Sequence, residues 1–283
     1  MIIEYSCQDI IQKRMDGLTN TEKKIAVYIL KNYDRVLEYN ISELAENIGV
    51  SDASIVRFCK NIGYKGYQDF RINAAKYILP KEKHFNPILE KNDSVETIYN
   101  KIFNSDISVL EKTLFELDIE ILKKAADVII NADKIILFGS GASLLVAKDS
   151  LHKLIKIGIM VYVYEDIDLQ LMSSALLSKN DVAIGISHSG SNRNVIKCIK
   201  NAKYNGAFSI AIVGRDKSPL SKISDISIHT AYEKNIFQSE SVSTRIAQLA
   251  LIDAIVAVIA FKNYEFSYNS IQKTRMATSD NKL

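Results

Sequence analysis

The chain has 283 residues, 47% of them hydrophobic and 24% charged, the shares expected of a soluble globular protein with room for two domains. Its 36 basic and 33 acidic residues give a formal net charge of +3, too small to indicate a nucleic-acid partner without local clustering. Three scattered cysteines without metal-ligand spacing and a first segment unlike a signal peptide predict a cytoplasmic protein without metal or cofactor. The most apolar segment, 246–261, is shorter than the roughly 20 residues that a membrane span needs.

Residues 1–79 have the apolar spacing of helices and contain no convincing strand. Within them, the segment 41–63 reads ISELAENIGVSDASIVRFCKNIG. It predicts a short helix, a tight turn at Gly49 and a second helix that begins after Ser51 and has one apolar face. This arrangement is typical of a helix-turn-helix, a motif whose second helix enters the major groove of DNA.

The exposed side of that second helix supplies the candidate DNA contacts. The candidates there and just beyond it are Ser51, Asp52, Ala53, Ser54, Arg57, Lys60 and Lys65. An arginine can reach a guanine edge or a phosphate, and serines suit phosphates at a helix N-terminus. The local charge agrees, because between Ala53 and Tyr77 the basic residues Arg57, Lys60, Lys65, Arg71 and Lys76 face one acid, Asp69. The alternative is a plain helical bundle with a solvated basic face.

The character of the sequence changes around Pro80, and residues 80–105 are expected to form a linker. Helical spacing returns over 94–130. Beyond residue 133, strands alternate with helices, and the predicted strands are 135–138, 159–164, 182–186, 208–213 and 226–229. The alternation predicts an α/β domain over 106–262, a parallel sheet covered by helices on both faces. The tail, 263–283, is polar and is expected to be partly disordered.

Two loops rich in serine and glycine follow predicted strands. They are GSGAS at 139–143, with Gly141 and Ser143, and SHSGSN at 187–192. Both precede helices, and ligands of open parallel sheets bind outside the carboxyl ends of the strands. Hydroxyls and backbone N–H groups at a helix N-terminus attract anions, so a phosphate ester is the expected ligand. Neither loop has the pattern of a dinucleotide or nucleoside-triphosphate loop, and an ordinary polar turn is the alternative.

A further polar cluster, SESVSTR at 239–245, leads into the last predicted helix, 244–261. It places Glu240 where a carboxylate could accept a sugar hydroxyl. The alternative is a helix N-cap with ordinary first-turn chemistry.

These motifs carry a family resemblance. The loops GSGAS and SHSGSN, with the later DKSPLSKISD and SESVSTRIAQLALID, resemble the sugar isomerase (SIS) phosphosugar-binding domain. Residues 18–77 resemble the N-terminal helix-turn-helix domain of the RpiR family of bacterial transcription regulators. The resemblance implies an all-helical DNA-binding domain (1–79) followed by a doubly wound, flavodoxin-like α/β domain.

The resemblance also implies roles for individual residues. In similar domains the phosphate is held by the serine that ends the first loop, here Ser143, and by serines of the second, here Ser187 and Ser189. Asn192 stands where a threonine is frequent, and its amide can still donate a hydrogen bond. Glu240 matches an acid that faces the substrate in related sugar-processing domains.

The leading hypothesis is a transcription regulator that binds double-stranded operator DNA under the control of a phosphosugar. It requires at least a homodimer, because one short helix reads only a half-site. The first alternative is a phosphosugar isomerase with an accessory helical domain, in which His188 and Glu240 would be the acid–base pair. The second is an interaction module whose serine loops bind nothing.

Overall fold

The computed structural model describes residues 6–78, 88–214, 217–231 and 242–279. The chain forms two compact units, and the division between them falls after Asn104. Described residues up to 104 belong to the first unit and those from 105 onward to the second. The division lies within one long helix, Val95–Glu116.

The first unit is helical, as predicted. Before the long helix it contains α1 Cys7–Arg14, α2 Asn20–Lys31, α3 Tyr33–Glu38, α4 Ile41–Ile48, α5 Asp52–Asn61 and α6 Tyr67–Ile78. Capping boxes at Ser6, Thr19 and Asn40 begin α1, α2 and α4, each with an acid three residues later that returns a hydrogen bond. Gly49 ends α4 with a φ of 73°, a left-handed conformation that glycine adopts without a Cβ penalty.

The core of the first unit is formed where these helices meet. Its largest fully buried side chains are Ile11, Ile25, Ile29, Leu37, Leu44, Ile55, Phe58, Ile62 and Phe70. They recur at helical spacing, so each helix buries one apolar stripe and leaves the other side to solvent. That division determines which side chains of α5 are exposed.

The second unit alternates strands and helices. Its elements are α7 Val95–Glu116 (shared with the first unit), α8 Ile119–Ile130, β1 Ile135–Phe138, α9 Ala142–Lys156, β2 Val161–Val163, α10 Ile167–Ala175, β3 Val182–Ser187, α11 Arg193–Tyr204, β4 Phe208–Val213, α12 Pro219–Ile223, β5 Ile226–His229, α13 Val242–Lys262 and α14 Tyr264–Ala277. Strands β1 to β5 form one parallel sheet in the order β2-β1-β3-β4-β5. The predicted fold class, a helical region followed by a doubly wound α/β domain, is confirmed.

The sheet is buried on both faces. Side chains of one face, such as Leu137, Ile184 and Ile212, pack with residues of α8, α9 and α13. Those of the other face, such as Phe138 and Ala183, pack against α11 and its surroundings. The strands are therefore apolar at successive positions, as strands of fully covered parallel sheets are.

Three expectations about segment boundaries differ from the structure. The predicted helical spacing over 94–130 is confirmed by α7 and α8, so α7 begins at Val95, inside the expected linker 80–105, of which residues 80–87 lie outside the described residues. The tail is not disordered over its first part, because it forms α14, where Phe266 and Ser270 approach Gly158 so closely that a Cβ there would lie 2.3 Å from Ser270 Oγ. Tertiary packing of this kind is invisible in the polar composition of the segment.

Helix α13 is also longer than predicted. Within it, Thr244–Lys262 is long and apolar enough to cross a membrane by length and composition, the one such helix in the described part of the chain. However, Leu251, Ile252, Ile255 and Ile259 of this helix are buried in the core beside the sheet, and core helices of soluble proteins pass the same test.

Asp225 joins three elements at the edge where β5 begins. Its carboxylate accepts hydrogen bonds from the backbone and side chain of Ser209 at 2.8 and 2.7 Å and from Lys203 of α11 at 2.6 Å. Burial alone would raise the pKa of Asp225, but the hydrogen bonds from Lys203 and Ser209 outweigh it and lower the pKa below the usual value.

Replacing this carboxylate should reduce stability in a pH-dependent way. Because the folded-state pKa is depressed, the stabilisation is present above the unfolded-state pKa of about 4 and is lost as the pH falls through the folded-state value. We expect Asp225→Asn to lower the free energy of unfolding by about 1 kcal/mol at pH 7, and this deficit should shrink below pH 4. Urea denaturation at pH 7, 4 and 3 measures it.

The matched control is Glu120→Gln, which alters an exposed ion pair with Lys123 at 3.7 Å. Such pairs contribute little, so the control should change stability by less than the Asp225 variant at pH 7. A deficit for Asp225→Asn that is equal at all three pH values would contradict the assignment.

Candidate functional site

The first serine loop connects β1 to α9 through a tight turn. A Cβ on Gly139 would lie 2.8 Å from the carbonyl oxygen of Ser143, so only glycine lets the chain fold back this closely. Gly141, the N-cap residue, has a φ of 56°. Ser143 is partly buried in the first turn of α9, and its N–H donates to the carbonyl oxygen of Ser140 at 3.2 Å.

The second serine loop begins inside the sheet. Ser187 is the last residue of β3, pairs with Val213 of β4 and is only 4% exposed. The loop turns where the N–H of Gly190 donates to Ser187 O at 3.0 Å, and the N–H of Ser191 donates to Ser189 Oγ at 3.2 Å. These bonds hold both candidate serines of this loop in a compact turn.

Asn192 begins α11 as its N-cap. Its side-chain oxygen accepts a hydrogen bond from the N–H of Val195 at 3.1 Å. The oxygen is therefore used by the helix, and the NH₂ group is the part of this side chain with donor capacity for a ligand.

Residues that follow β4 hold the second loop in place. The N–H of Gly214 donates to His188 O and the N–H of Leu220 donates to Gly190 O, both at 2.9 Å. His188 is partly buried, and its ring packs on Gly214, where an added Cβ would lie 2.4 Å from Nδ1. His188 thus lies between the ends of β3 and β4.

The two serine loops lie at the same edge of the sheet because β1 and β3 are neighbours. Phe138 pairs with Gly185, so both strands end toward the same side. The N-termini of α9 and α11 lie there too, and neither helix has an acid in its first turn. Two positive helix ends with no acid in their own first turns favour an anion. The predicted residues Gly141, Ser143, Ser187, His188, Ser189 and Asn192 are therefore grouped at one edge.

Two further expectations concern Glu240 and metal ions. Glu240 and the neighbouring residues 232–241 lie outside the described residues. No group of three histidine, cysteine or acidic side chains suited to a metal ion occurs among the residues that the structure describes.

The helix-turn-helix exposes the predicted side chains. Ser51, Ala53, Arg57, Lys60 and Lys65 are exposed and Ser54 is partly exposed. Ser51 caps α5, its Oγ lies 2.9 Å from Ser54 Oγ, and Arg57 Nη2 donates to Ser54 Oγ at 3.4 Å. Hydroxyls, a guanidinium and a helix N-terminus thus share one solvent-facing surface, suited to phosphates and base edges.

Two residues do not belong to this surface as expected. Asp52, a candidate groove contact, accepts a hydrogen bond from the buried Ser42 Oγ at 2.6 Å and so joins α5 to α4. Arg71, counted in the basic cluster, is 3% exposed and donates to Leu37 O at the end of α3. A buried arginine satisfying a helix C-terminus cannot contact DNA. The side chain of Lys76 is outside the described residues.

The far end of α5 is also held in place. Arg14 Nη1 donates to Asn61 O, the last carbonyl of α5, and Asn61 Nδ2 donates to Glu22 Oε1 at 3.0 Å. The backbone hydrogen bond from Thr19 is the main cause that lowers the pKa of Glu22, with Asn61 and Arg57 acting in the same direction. Helix α5 is thus positioned from both ends, a requirement for a helix that reads DNA.

Comparison with known proteins agrees with this two-part architecture, a helix-turn-helix unit followed by an α/β unit. The helix-turn-helix domain model of the rpiR family matches residues 6–81, and the SIS domain model matches residues 128–258. The chain therefore belongs to the RpiR family of transcriptional regulators and carries a SIS domain.

Individual relatives extend over nearly the whole chain. An uncharacterized HTH-type transcriptional regulator of Caldanaerobacter subterraneus is 35% identical over 97% of both chains. The HTH-type transcriptional regulator RpiR of Escherichia coli is 28% identical over 93% of this chain and 89% of its own. The structure of the Vibrio vulnificus NanR protein complexed with ManNAc-6P has a TM-score of 0.83 and 26% identity, covering 96% of this chain and 98% of that one.

A glycine substitution tests the close packing of the second loop. Gly190 has a φ of 62°, and an added Cβ would lie 2.3 Å from Cβ of the buried Ser218. We expect Gly190→Ala to lower the free energy of unfolding by about 2–4 kcal/mol, because a strained backbone and overpacking add. Chemical denaturation of the purified variant measures the loss.

Gly206→Ala is the matched control. Gly206 also has a positive φ, 91°, but a Cβ there meets only ordinary contacts at 3.6 Å or more. It should cost about 1–2 kcal/mol, from the backbone alone. Equal losses for the two variants would show that the second loop is not held against Ser218.

Proposed function

We propose that this regulator binds operator DNA through α4 and α5 of domain 1–79 and that a phosphorylated sugar bound in domain 106–262 controls its DNA affinity. The observation that carries the proposal is the pairing of β1 with β3. It places two serine loops and two acid-free helix N-termini at one edge of the sheet. Such an edge binds a phosphate group.

The proposed ligand contacts follow from the chemistry of the group bound. A phosphate ester accepts hydrogen bonds, so hydroxyls and N–H groups of the two loops are its natural donors. The proposed ligand-binding residues are Gly141, Ser143, Ser187, His188, Ser189, Asn192 and Glu240. The Vibrio vulnificus NanR structure is a complex with ManNAc-6P, so an N-acetylhexosamine 6-phosphate is the first compound to test.

The proposed DNA contacts are Ser51, Ala53, Ser54, Arg57, Lys60 and Lys65. One helix of this length reads a half-site, so the acting species is at least a homodimer, located in the cytoplasm where its operator is accessible. Control by the sugar is a coupling free energy. The ligand binds one quaternary arrangement more tightly and thereby shifts the spacing of the two reading helices.

The protein acts without catalysing a sugar reaction in this proposal. The names of its relatives, which are transcriptional regulators, support it. Turnover of a hexose or pentose phosphate that His188→Ala or Glu240→Gln abolishes would overturn this part of the proposal and favour the isomerase alternative.

The ligand site predicts stabilisation by one class of compound. A ligand at about 100 times its Kd stabilises the native state by about 2.7 kcal/mol, which raises Tm by several degrees for a unit of this size. We expect a panel of hexose, pentose and N-acetylhexosamine phosphates to contain at least one such compound. The Ser187→Ala/Ser189→Ala double variant should lose the shift, because the site loses two hydroxyl donors.

Ser224→Ala is the matched control, since Ser224 caps the end of α12 and precedes β5 at the opposite edge of the sheet. It should retain the ligand-induced shift in full. A panel without any stabilising compound, or a shift that survives in the double variant, would contradict the proposed site.

The DNA surface predicts a loss specific to α5. With an operator selected from random duplexes, Arg57→Ala should weaken binding about tenfold if the arginine reads a guanine, or reduce the salt slope by about one if it contacts a phosphate. Fluorescence anisotropy titrations at several salt concentrations distinguish the two. The exposed Arg275 of α14 gives the control variant Arg275→Ala, which should bind normally. Equal affinities of all three proteins at every salt concentration would contradict the assignment.

A further inference from the structure

Gln170 joins parts of the second unit that are distant in sequence. This residue of α10 is 1% exposed, and its Nε2 donates to Gly139 O at 3.0 Å and to Tyr164 O at 2.9 Å. Gly139 follows β1 and opens the first serine loop, and Tyr164 follows β2. Both amide hydrogens of one side chain are therefore used at the carboxyl ends of two neighbouring strands.

The other end of the same amide reaches the helix behind the second serine loop. Gln170 Oε1 accepts a hydrogen bond from Asn194 Nδ2 at 3.1 Å. Asn194 is the second residue of α11, two positions after the cap residue Asn192. One side chain thus links the start of the first loop to the helix that begins where the second loop ends.

These bonds also orient a donor of the first loop. A peptide unit is planar and trans, so fixing the carbonyl group of Gly139 fixes the direction of the N–H of Ser140 as well. The Nδ2 of Asn194 is committed to the same network through its bond to Gln170, and its Oδ1 is buried.

Few side chains could replace Gln170. The site needs two donors for two carbonyl groups and one acceptor for an amide, at the reach of a three-carbon stem. Glutamate of the same length offers no donor when ionised, and methionine offers no donor and only a weak thioether acceptor. The carbonyl groups of Gly139 and Tyr164 would then be left buried without this donor.

We propose that Gln170 is a positioning residue that sets the separation and orientation of the two serine loops, and so determines how well they hold one phosphosugar. The effect on the sugar rests on the proposed function. The effect on the loops rests on the hydrogen bonds alone, so the two can be tested separately.

The test compares Gln170→Met with Asn201→Leu. Asn201 of α11 donates to Ser174 Oγ of α10 at 3.2 Å, so it joins the same two helices about two turns farther from the loops. Both variants remove a hydrogen bond between α10 and α11, and only the first touches the serine loops. A merely structural role for Gln170 would make their effects alike.

The first readout needs no ligand. Amide hydrogen exchange of residues 139–143 and 188–192 should be at least about tenfold faster in Gln170→Met than in Asn201→Leu, since local opening follows the loss of these bonds. If Gln170→Met does not fold, Asn194→Leu is the alternative. It removes one of the three hydrogen bonds of Gln170 and should make amide hydrogen exchange in the second loop faster. The proposal would be overturned if the serine loops exchanged at the same rate in the test variant, Gln170→Met or Asn194→Leu, as in the control Asn201→Leu.

The second readout is the affinity for N-acetylmannosamine 6-phosphate, or for another panel compound that binds the wild type, measured by calorimetry. Gln170→Met should bind at least about tenfold more weakly than Asn201→Leu. Equal affinities would overturn the positioning role in ligand binding even if exchange differs. If no panel compound binds the wild type, the proposed function fails, while faster exchange in Gln170→Met still supports the role in holding the loops.

Discussion

The pairing of β1 with β3 is the constraint on which the candidate ligand site depends. The strand order β2-β1-β3-β4-β5 reverses direction at this pair, and crossover helices on either side leave a crevice at the carboxyl ends there. Residues 139–143 and 187–192 are separated by more than forty positions in the chain, and this one pairing makes them neighbours. The polar groups of each loop alone would form an ordinary turn, and together they form the proposed anion site.

The first unit depends on a comparable local constraint, the entry of the chain into α5. Gly49 turns the chain with a positive φ, Ser51 caps the next helix, and Asp52 is held by Ser42. These three features determine the rotation of α5 about its axis, so that Ile55, Phe58 and Cys59 are buried. The exposed basic and hydroxyl side chains then occupy the opposite side of the helix.

Much of this arrangement could be predicted from the sequence because the determining signals are local. Buried parallel strands are continuous apolar runs, and helix starts carry caps within three residues. The short helix α3 and the burial of Arg71 could not be predicted. The Arg71 guanidinium donates a hydrogen bond to the backbone carbonyl oxygen of Leu37 in α3, which lies 34 positions away in the chain. The same holds for α14, which depends on packing of Phe266 and Ser270 at Gly158.

Gln170 shows why one element of the candidate site is invisible to motif analysis. It is a single polar residue on a short helix, and its role depends on three partners from other parts of the fold. Its neutrality is also physically significant. A buried lysine or arginine would require a counter-charge or would itself compete with the helix termini for the proposed anion, and a carboxylate would repel it. An uncharged amide can join both loops while the two helix N-termini keep their positive potential for the ligand.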